Sequence, residues 1–326
     1  MCIDGALGVV HRVVTGEFSW ESIEKVEIFQ VPYLDFVDDE RYVIPDKTYT
    51  DTHIQFDDYG FRAGHNTPSK TQANVVFLGD SVPFGFGSLP QDSIPSRVSE
   101  LLKKEGKSTP VINAAVPSYS LNQSVYRYIY DIEHVFPVSI IIMQVYDPAE
   151  NFPRLGHDWD VTQNWYTTSA HGRVGPLKES VHSPVKYSSL FYLYWRYSGV
   201  YFQSINKNAR YDSKDLKRYK DSIISSLDRL KLHARDTDHI VLMPITRPVG
   251  VMQGLSEYEK APIDVLNDTF AAYASGSKTI HFLDTRELFK NYPDAEIFVD
   301  VCCHLTPRGF ELEAMYLKDF IMKLRV

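Results

Sequence analysis

Cysteine is scarce in this chain of 326 residues: Cys2, Cys302 and Cys303 are the whole complement. Three thiols build no disulfide framework, and neighbours such as Cys302 and Cys303 do not bridge each other without straining the backbone. The fold is therefore expected to need no oxidising compartment. Long apolar runs are missing as well. The richest stretch, Val138 to Val145, is far shorter than the roughly 20 residues that span a bilayer, so no membrane span is expected. An excess of basic residues is also lacking. Lys and Arg number 34 against 42 Asp and Glu, a formal net charge of -8, whereas a nucleic-acid surface needs clustered cations to displace counterions. Nucleic acid is excluded as an expected partner. The opening residues, Met1 to Ala6, do not join a basic start to an apolar segment as a signal peptide does. As written, the chain is expected to be cytoplasmic. Its eleven histidines show no spacing suited to a metal site, and no metal or other cofactor is expected. There is no internal repeat and no low-complexity tract.

What is present is a composition with 44% hydrophobic and 23% charged residues, enough to bury a sizeable core. Aromatics reach 13%, with 21 Tyr and 18 Phe. From Asn74 onward, strand-like and helix-like stretches alternate. Apolar runs at Val75–Leu78, Pro110–Asn113, Val138–Val145, His239–Met243 and Thr279–Leu283 read as strands. The unbroken apolar character of Val138–Val145 implies burial on both faces. Helical spacing follows at 93–104, 122–135, 213–235, 264–273 and 307–324. The 213–235 helix sets Ile223, Ile224, Leu227, Leu230 and Leu232 against a Lys-rich face, and Pro307 suits a first helical turn. This alternation predicts an α/β three-layer sandwich, a mainly parallel sheet of about five strands with helices on both faces. Two segments stand outside it. Residues 1–70 read as an N-terminal extension, a hairpin or small sheet. Within the main domain, 71–326, an aromatic-dense insertion occupies about 148–210, after the third strand. Insertions at the C-terminal ends of strands are where doubly wound folds build binding sites.

The chemistry concentrates at two points. Gly79-Asp80-Ser81 follows directly on an apolar strand, and a serine at such a turn presents its hydroxyl at the top of the sheet. Ser after Asp is equally at home as a turn cap. The lipase elbow is absent, because Pro83 stands where its second glycine belongs, and no Lys-Ser or Lys-Thr follows Gly85 or Gly87 to make a phosphate loop. Near the other end, Asp300 and His304 lie just ahead of the final helix. A base oriented by an acid is what a serine nucleophile requires. In a parallel sheet, the end of the first strand and the start of the last helix share the C-terminal edge, so the two points reinforce each other.

With these blocks in place the chain, from about Asn74 to its end, resembles the SGNH hydrolases, the GDSL-type esterases and lipases. Gly79-Asp80-Ser81 is similar to the first block, Asn113 to Ser120 to the second, Val145 to Asn151 to the third, and Asp300 to His304 with the Leu-Thr-Pro-Arg-Gly tail to the last. Tyr59-Gly-Phe-Arg62 is similar to a segment upstream of the domain in many bacterial relatives. The resemblance implies an SGNH, flavodoxin-like fold, with Ser81 as nucleophile, His304 as base and Asp300 as orienting acid. It also implies an oxyanion hole from the N–H groups of Ser81 and Ser118, the latter standing where the family usually has glycine. At the third block Asp147 replaces an expected asparagine. Either Asp147 is protonated, or Asn151 supplies the amide, or turnover is slow, since losing one such donor costs roughly 10²- to 10³-fold. The family's acid sits three residues before the histidine, at Val301 here, whereas Asp300 is four before.

The expected activity is hydrolysis of carboxylic esters through an acyl-enzyme. The substrate would be a small molecule or oligosaccharide ester, and O-acetyl groups on a carbohydrate are the first choice. Trp159, Trp165 and Tyr166 in the insertion suit stacking on sugar rings, and Arg247, after the fourth strand, is placed to touch a polar or anionic group. Asp284 reads as a helix cap and Cys303 as a small buried residue. Two alternatives stand beside this: a sugar O-acyltransferase using the same Ser–His site, and a catalytically degenerate glycan-binding protein.

Overall fold

The computed structural model describes residues 34–36, 43–45, 54–65, 68–117, 119–145, 213–300 and 303–324. The chain divides into two compact units, Met1–Val43 with Thr162–Arg210 and Ile44–Val161 with Tyr211–Val326. Two three-residue strands, Leu34–Phe36 and Val43–Pro45, pair in a small sheet. The second unit is built on five parallel strands: β1 (Asn74–Gly79), β2 (Val111–Asn113), β3 (Val138–Val145), β4 (His239–Pro244) and β5 (Ile280–Phe282), in the spatial order β2-β1-β3-β4-β5.

The helices of this unit are α1 (Ser81–Phe84), α2 (Ile94–Lys104), α3 (Leu121–Arg127), α4 (Ser213–His233), α5 (Val249–Gly254), α6 (Glu257–Ala274), α7 (Thr285–Phe289), α8 (Asp294–Ile297) and α9 (Pro307–Lys323). Both faces of the sheet are covered, and the period-2 alternation of the strands sorts their side chains cleanly. Val76, Leu78, Ile141, Met143 and Leu242 join Val125 of α3, Ile223 and Leu227 of α4, and Leu266 and Phe270 of α6. Val75, Phe77, Ile140, Ile142 and Val241 join Ile94 and Val98 of α2, and Phe310, Ala314 and Leu317 of α9. The α/β sandwich with a parallel five-stranded sheet that the sequence predicts is therefore the fold observed. An all-parallel sheet must be covered on both sides, which is why β3 reads as an uninterrupted apolar run.

Some details differ from the sequence reading. Helix α3 is short and passes at Tyr128–Ile132 into a wider π turn. Leu232, assigned to the apolar face of α4, is 81% exposed: it lies in the last turn, five residues past Leu227, where the 100° step per residue has carried it round to solvent. Among the described residues no helix is long and apolar enough to cross a membrane.

The strand order fixes where a site belongs. The chain steps from β1 to one side for β2, then crosses to the other side for β3, so a crevice opens between β1 and β3 at their C-terminal ends. In doubly wound sheets ligands bind at this reversal. Ser81 stands there, at the end of β1.

Candidate active site

The turn that carries Ser81 is shaped by its neighbours. Asp80 caps α1, its Oδ1 accepting the Val82 N–H at 3.2 Å, and Ser81 is the first helical residue. Before it, Gly79 has φ of +141°, and a Cβ there would sit 1.8 Å from the carbonyl oxygen of Gln144 on β3. Only glycine lets the strand turn this tightly against its neighbour. The turn is also held from below. Asn113, fully buried at the end of β2, donates its amide to the carbonyls of Pro83 (3.2 Å) and Phe84 (3.4 Å). Arg62, 1% exposed, donates to the Ser88 carbonyl at 2.8 Å and lays its guanidinium 4.4 Å from the Phe84 ring centre. The Tyr59–Arg62 segment is itself locked by Asp57, whose Oδ1 accepts the N–H groups of Tyr59 and Phe61 at 2.9 Å. It is locked as well by Arg127, which donates to the Gly60 carbonyl at 2.9 Å.

His304 comes from a tight loop closed by a bridge between Phe298 and Leu305. The Val299 N–H donates to the His304 carbonyl at 2.9 Å and the Thr306 N–H to the Ile297 carbonyl at 2.8 Å. Thr306 then caps α9, its hydroxyl oxygen accepting the Gly309 N–H at 3.1 Å. Gly309 passes so close to the loop that a Cβ would lie 2.6 Å from the Ile297 carbonyl oxygen. The Thr-Pro-x-Gly run thus starts the helix and seats it against the loop.

These elements bring three predicted residues into one line. Ser81 Oγ and His304 Nε2 are 2.9 Å apart. On the far side of the ring, Nδ1 is 2.5 Å from Asp300 Oδ2. Asp300 Oδ1 accepts the backbone N–H groups of Cys303 at 3.0 Å and His304 at 3.2 Å, so the same carboxylate shapes the loop and meets the ring. Burial pushes the Asp300 carboxyl upward, but the bonds from His304 and the Cys303 N–H outweigh it and hold the group below its ordinary range. The Phe86 ring, 45% exposed, lies 5.0 Å from the imidazole centre to centre, tilted by 38°, and its N–H donates to the Ser81 carbonyl at 2.8 Å.

Arg247 lies half-buried in the loop after β4, at the same edge of the sheet. Asp284 caps α7 through the Arg286 N–H at 3.0 Å and pairs with the Arg286 guanidinium, and Cys303 is buried. Ser118, Asp147, Asn151, Trp159, Trp165 and Tyr166 fall outside the described residues. Sequence reading missed Arg62 and Asn113 as supports of the Ser81 turn, and Phe86 beside His304. The signal for Phe86 was available: a large apolar residue between two glycines, Gly85 and Gly87, where nothing calls for core.

No family model matches the chain, and no curated protein does. Solved structures are similar to it. A lipase/acylhydrolase from Enterococcus faecalis shares 13% identity over 77% of this chain and 96% of its own, with a TM-score of 0.46. A member of the lipolytic protein G-D-S-L family from Veillonella parvula shares 11% over 78% and 100%, with a TM-score of 0.45. A two-domain esterase active on acetylated mannans shares 14% over 78% of this chain and 50% of its own, with a TM-score of 0.43. These three solved structures are described as a lipase/acylhydrolase, a member of the lipolytic protein G-D-S-L family and an esterase.

Proposed function

We propose that this chain is a serine esterase of the SGNH type that hydrolyses carboxylic esters through an acyl-enzyme. The observation that supports this most is the line from Ser81 through His304 to Asp300, at 2.9 and 2.5 Å, at the reversal point of a parallel sheet. Ser81 Oγ attacks the ester carbonyl and its proton passes to His304 Nε2, while Asp300 steadies the imidazolium that forms. When the tetrahedral adduct collapses, the bond to the alcohol breaks and Nε2 returns the proton to the leaving oxygen. Water then attacks the acyl-Ser81 ester by the same route in reverse. The oxyanion would be held by the N–H groups of Ser81 and Ser118, with an amide from Asn151 or a protonated Asp147.

For the substrate we favour an O-acetyl carbohydrate, on the aromatic character of Trp159, Trp165 and Tyr166 and the placement of Arg247. A sugar O-acyltransferase would use the same Ser–His chemistry with a sugar hydroxyl in place of water. The bonded line of three residues favours an enzyme over a degenerate glycan binder. Two experiments test the reading. An alkyl fluorophosphonate should add one phosphonyl group to Ser81, seen by peptide mass spectrometry and lost in Ser81→Ala; an unlabelled Ser81 contradicts the nucleophile. Purified protein should release acetate from acetylated sugars faster than it cleaves long-chain esters. The opposite ranking removes the carbohydrate assignment, and product that appears only when an acceptor sugar is present moves it to a transferase.

A further inference from the structure

Beneath the nucleophile turn lies a polar pair that the reaction above does not use. Gln144 is the penultimate residue of β3, opposite Gly79 in the sheet register, and its carbonyl oxygen is the atom that forbids a side chain at Gly79. Its side chain points to the α9 face of the sheet, alternating with Ile141, Met143 and Val145 on the other. There the amide nitrogen donates to Oε1 of Glu313. Both residues are 1% exposed, and among the described residues the amide oxygen of Gln144 is buried without a hydrogen-bond partner. Glu313 occupies a core position of α9, three residues after Phe310 and four before Leu317.

A buried carboxylate with one neutral amide for company is costly, and so is a buried amide oxygen that accepts nothing. One proton removes both difficulties. If Glu313 carries it on Oε2, that hydroxyl donates to the Gln144 amide oxygen while the Gln144 amide donates to Oε1, and the two side chains close a ring of two hydrogen bonds. Of the cations on the surrounding elements, Arg97 pairs with Asp92, Lys104 with Glu100, Arg286 with Asp284, Arg308 with Glu311, and Lys318 with Glu105 and Asp319. Asp294 of α8 accepts the N–H groups of Val249 and Gly250. Burial pushes the Glu313 carboxyl up to about 8, and the bond from the Gln144 amide opposes it.

We propose that Gln144 and Glu313 form a cyclic amide–acid pair, with Glu313 neutral, and that this pair is a positioning device. It ties the strand that backs the Ser81 turn to the helix that begins just after His304, and so sets the spacing between nucleophile and base. The positioning half rests on the esterase reading; the protonated pair does not.

The test therefore has separate arms. Glu313→Gln keeps a neutral partner able to close the same two-bond ring. The infrared difference between wild type and this variant at pH 7 should show the carbonyl stretch of a protonated carboxylic acid in the wild type; its absence overturns the pair. Because the folded carboxyl titrates higher than the unfolded one, its stabilising contribution is complete below pH 4.5 and is lost as pH rises to about 8. Over that window the wild-type folding constant should fall relative to Glu313→Gln by up to about tenfold per pH unit; parallel profiles overturn the proposal. For positioning, Glu313→Gln should keep kcat within about threefold, while Glu313→Leu or Gln144→Leu lowers it roughly tenfold to a hundredfold with KM little changed, as misplaced catalytic groups do. A leucine variant that folds with unaltered kcat overturns the positioning half. Should neither fold, a kcat loss of about tenfold or more in Glu313→Gln overturns it instead.

Discussion

Asp300 grips His304 at two points, its Oδ2 against the ring Nδ1 at 2.5 Å and its Oδ1 on the backbone N–H at 3.2 Å, although it stands four residues ahead rather than three. The extra residue is absorbed by the loop that the Phe298–Leu305 bridge closes. Asp300→Asn removes the negative charge that, in the proposed reaction, would steady an imidazolium at His304, so kcat should fall by roughly 10²- to 10⁴-fold with KM little changed. Steady-state kinetics on an activated ester reads this, and an unaltered kcat would assign the orienting role elsewhere.

The same carboxylate gives a stability signature. Its folded titration lies below the ordinary value of 3.8, so its contribution is present above that pH and is lost as pH falls through the folded value. Wild type should lose stability on acidification below about pH 4 more steeply than Asp300→Asn, which has no such proton to take up. Thermal midpoints of both proteins from pH 2 to 6 provide the comparison; identical slopes would mean the charge is not stabilised by the loop.

Gly79→Ala should be severe. The new Cβ meets the Gln144 carbonyl oxygen at 1.8 Å and φ is +141°, so backbone strain and overpacking act together, costing about 3 kcal/mol or more. Urea unfolding should show a lower midpoint with an unchanged slope. A loss under about 1 kcal/mol would show that the strand end yields.

Phe86→Ala should lower turnover. The ring is half-exposed and rests on the imidazole, and an aromatic contact of this kind contributes roughly 0.5–1.5 kcal/mol. Turnover should fall by about 2- to 12-fold, with the fold losing no more than the roughly 0.5–1.5 kcal/mol of the contact itself. Unchanged turnover would mean that the ring does not hold His304.

The sheet was legible because five apolar strands alternate with helices, and the direction of that alternation puts Ser81 and His304 on one edge. Ser81, His304 and Asp300 could be paired from sequence because each sits at an element boundary that the pattern marks: the end of β1, the start of α9 and the loop before it. The supports were harder to read. Arg62, Asn113 and Gln144 are buried polar residues whose partners lie 26 to 169 positions away, and no periodicity reports a contact across that distance. Glu313 could have been noticed as an acid on the apolar stripe of α9. Leu232 misled because a leucine near a stripe looks like part of it until the helix rotation is followed to its end.

Hydrolysis of an ester through Ser81, with His304 as base, is read by 4-nitrophenyl acetate turnover in wild type and Ser81→Ala at matched folded concentration. Wild type should turn over, and Ser81→Ala should lose at least about 10³-fold in kcat while unfolding at the same denaturant concentration. Equal rates in the two proteins would contradict it.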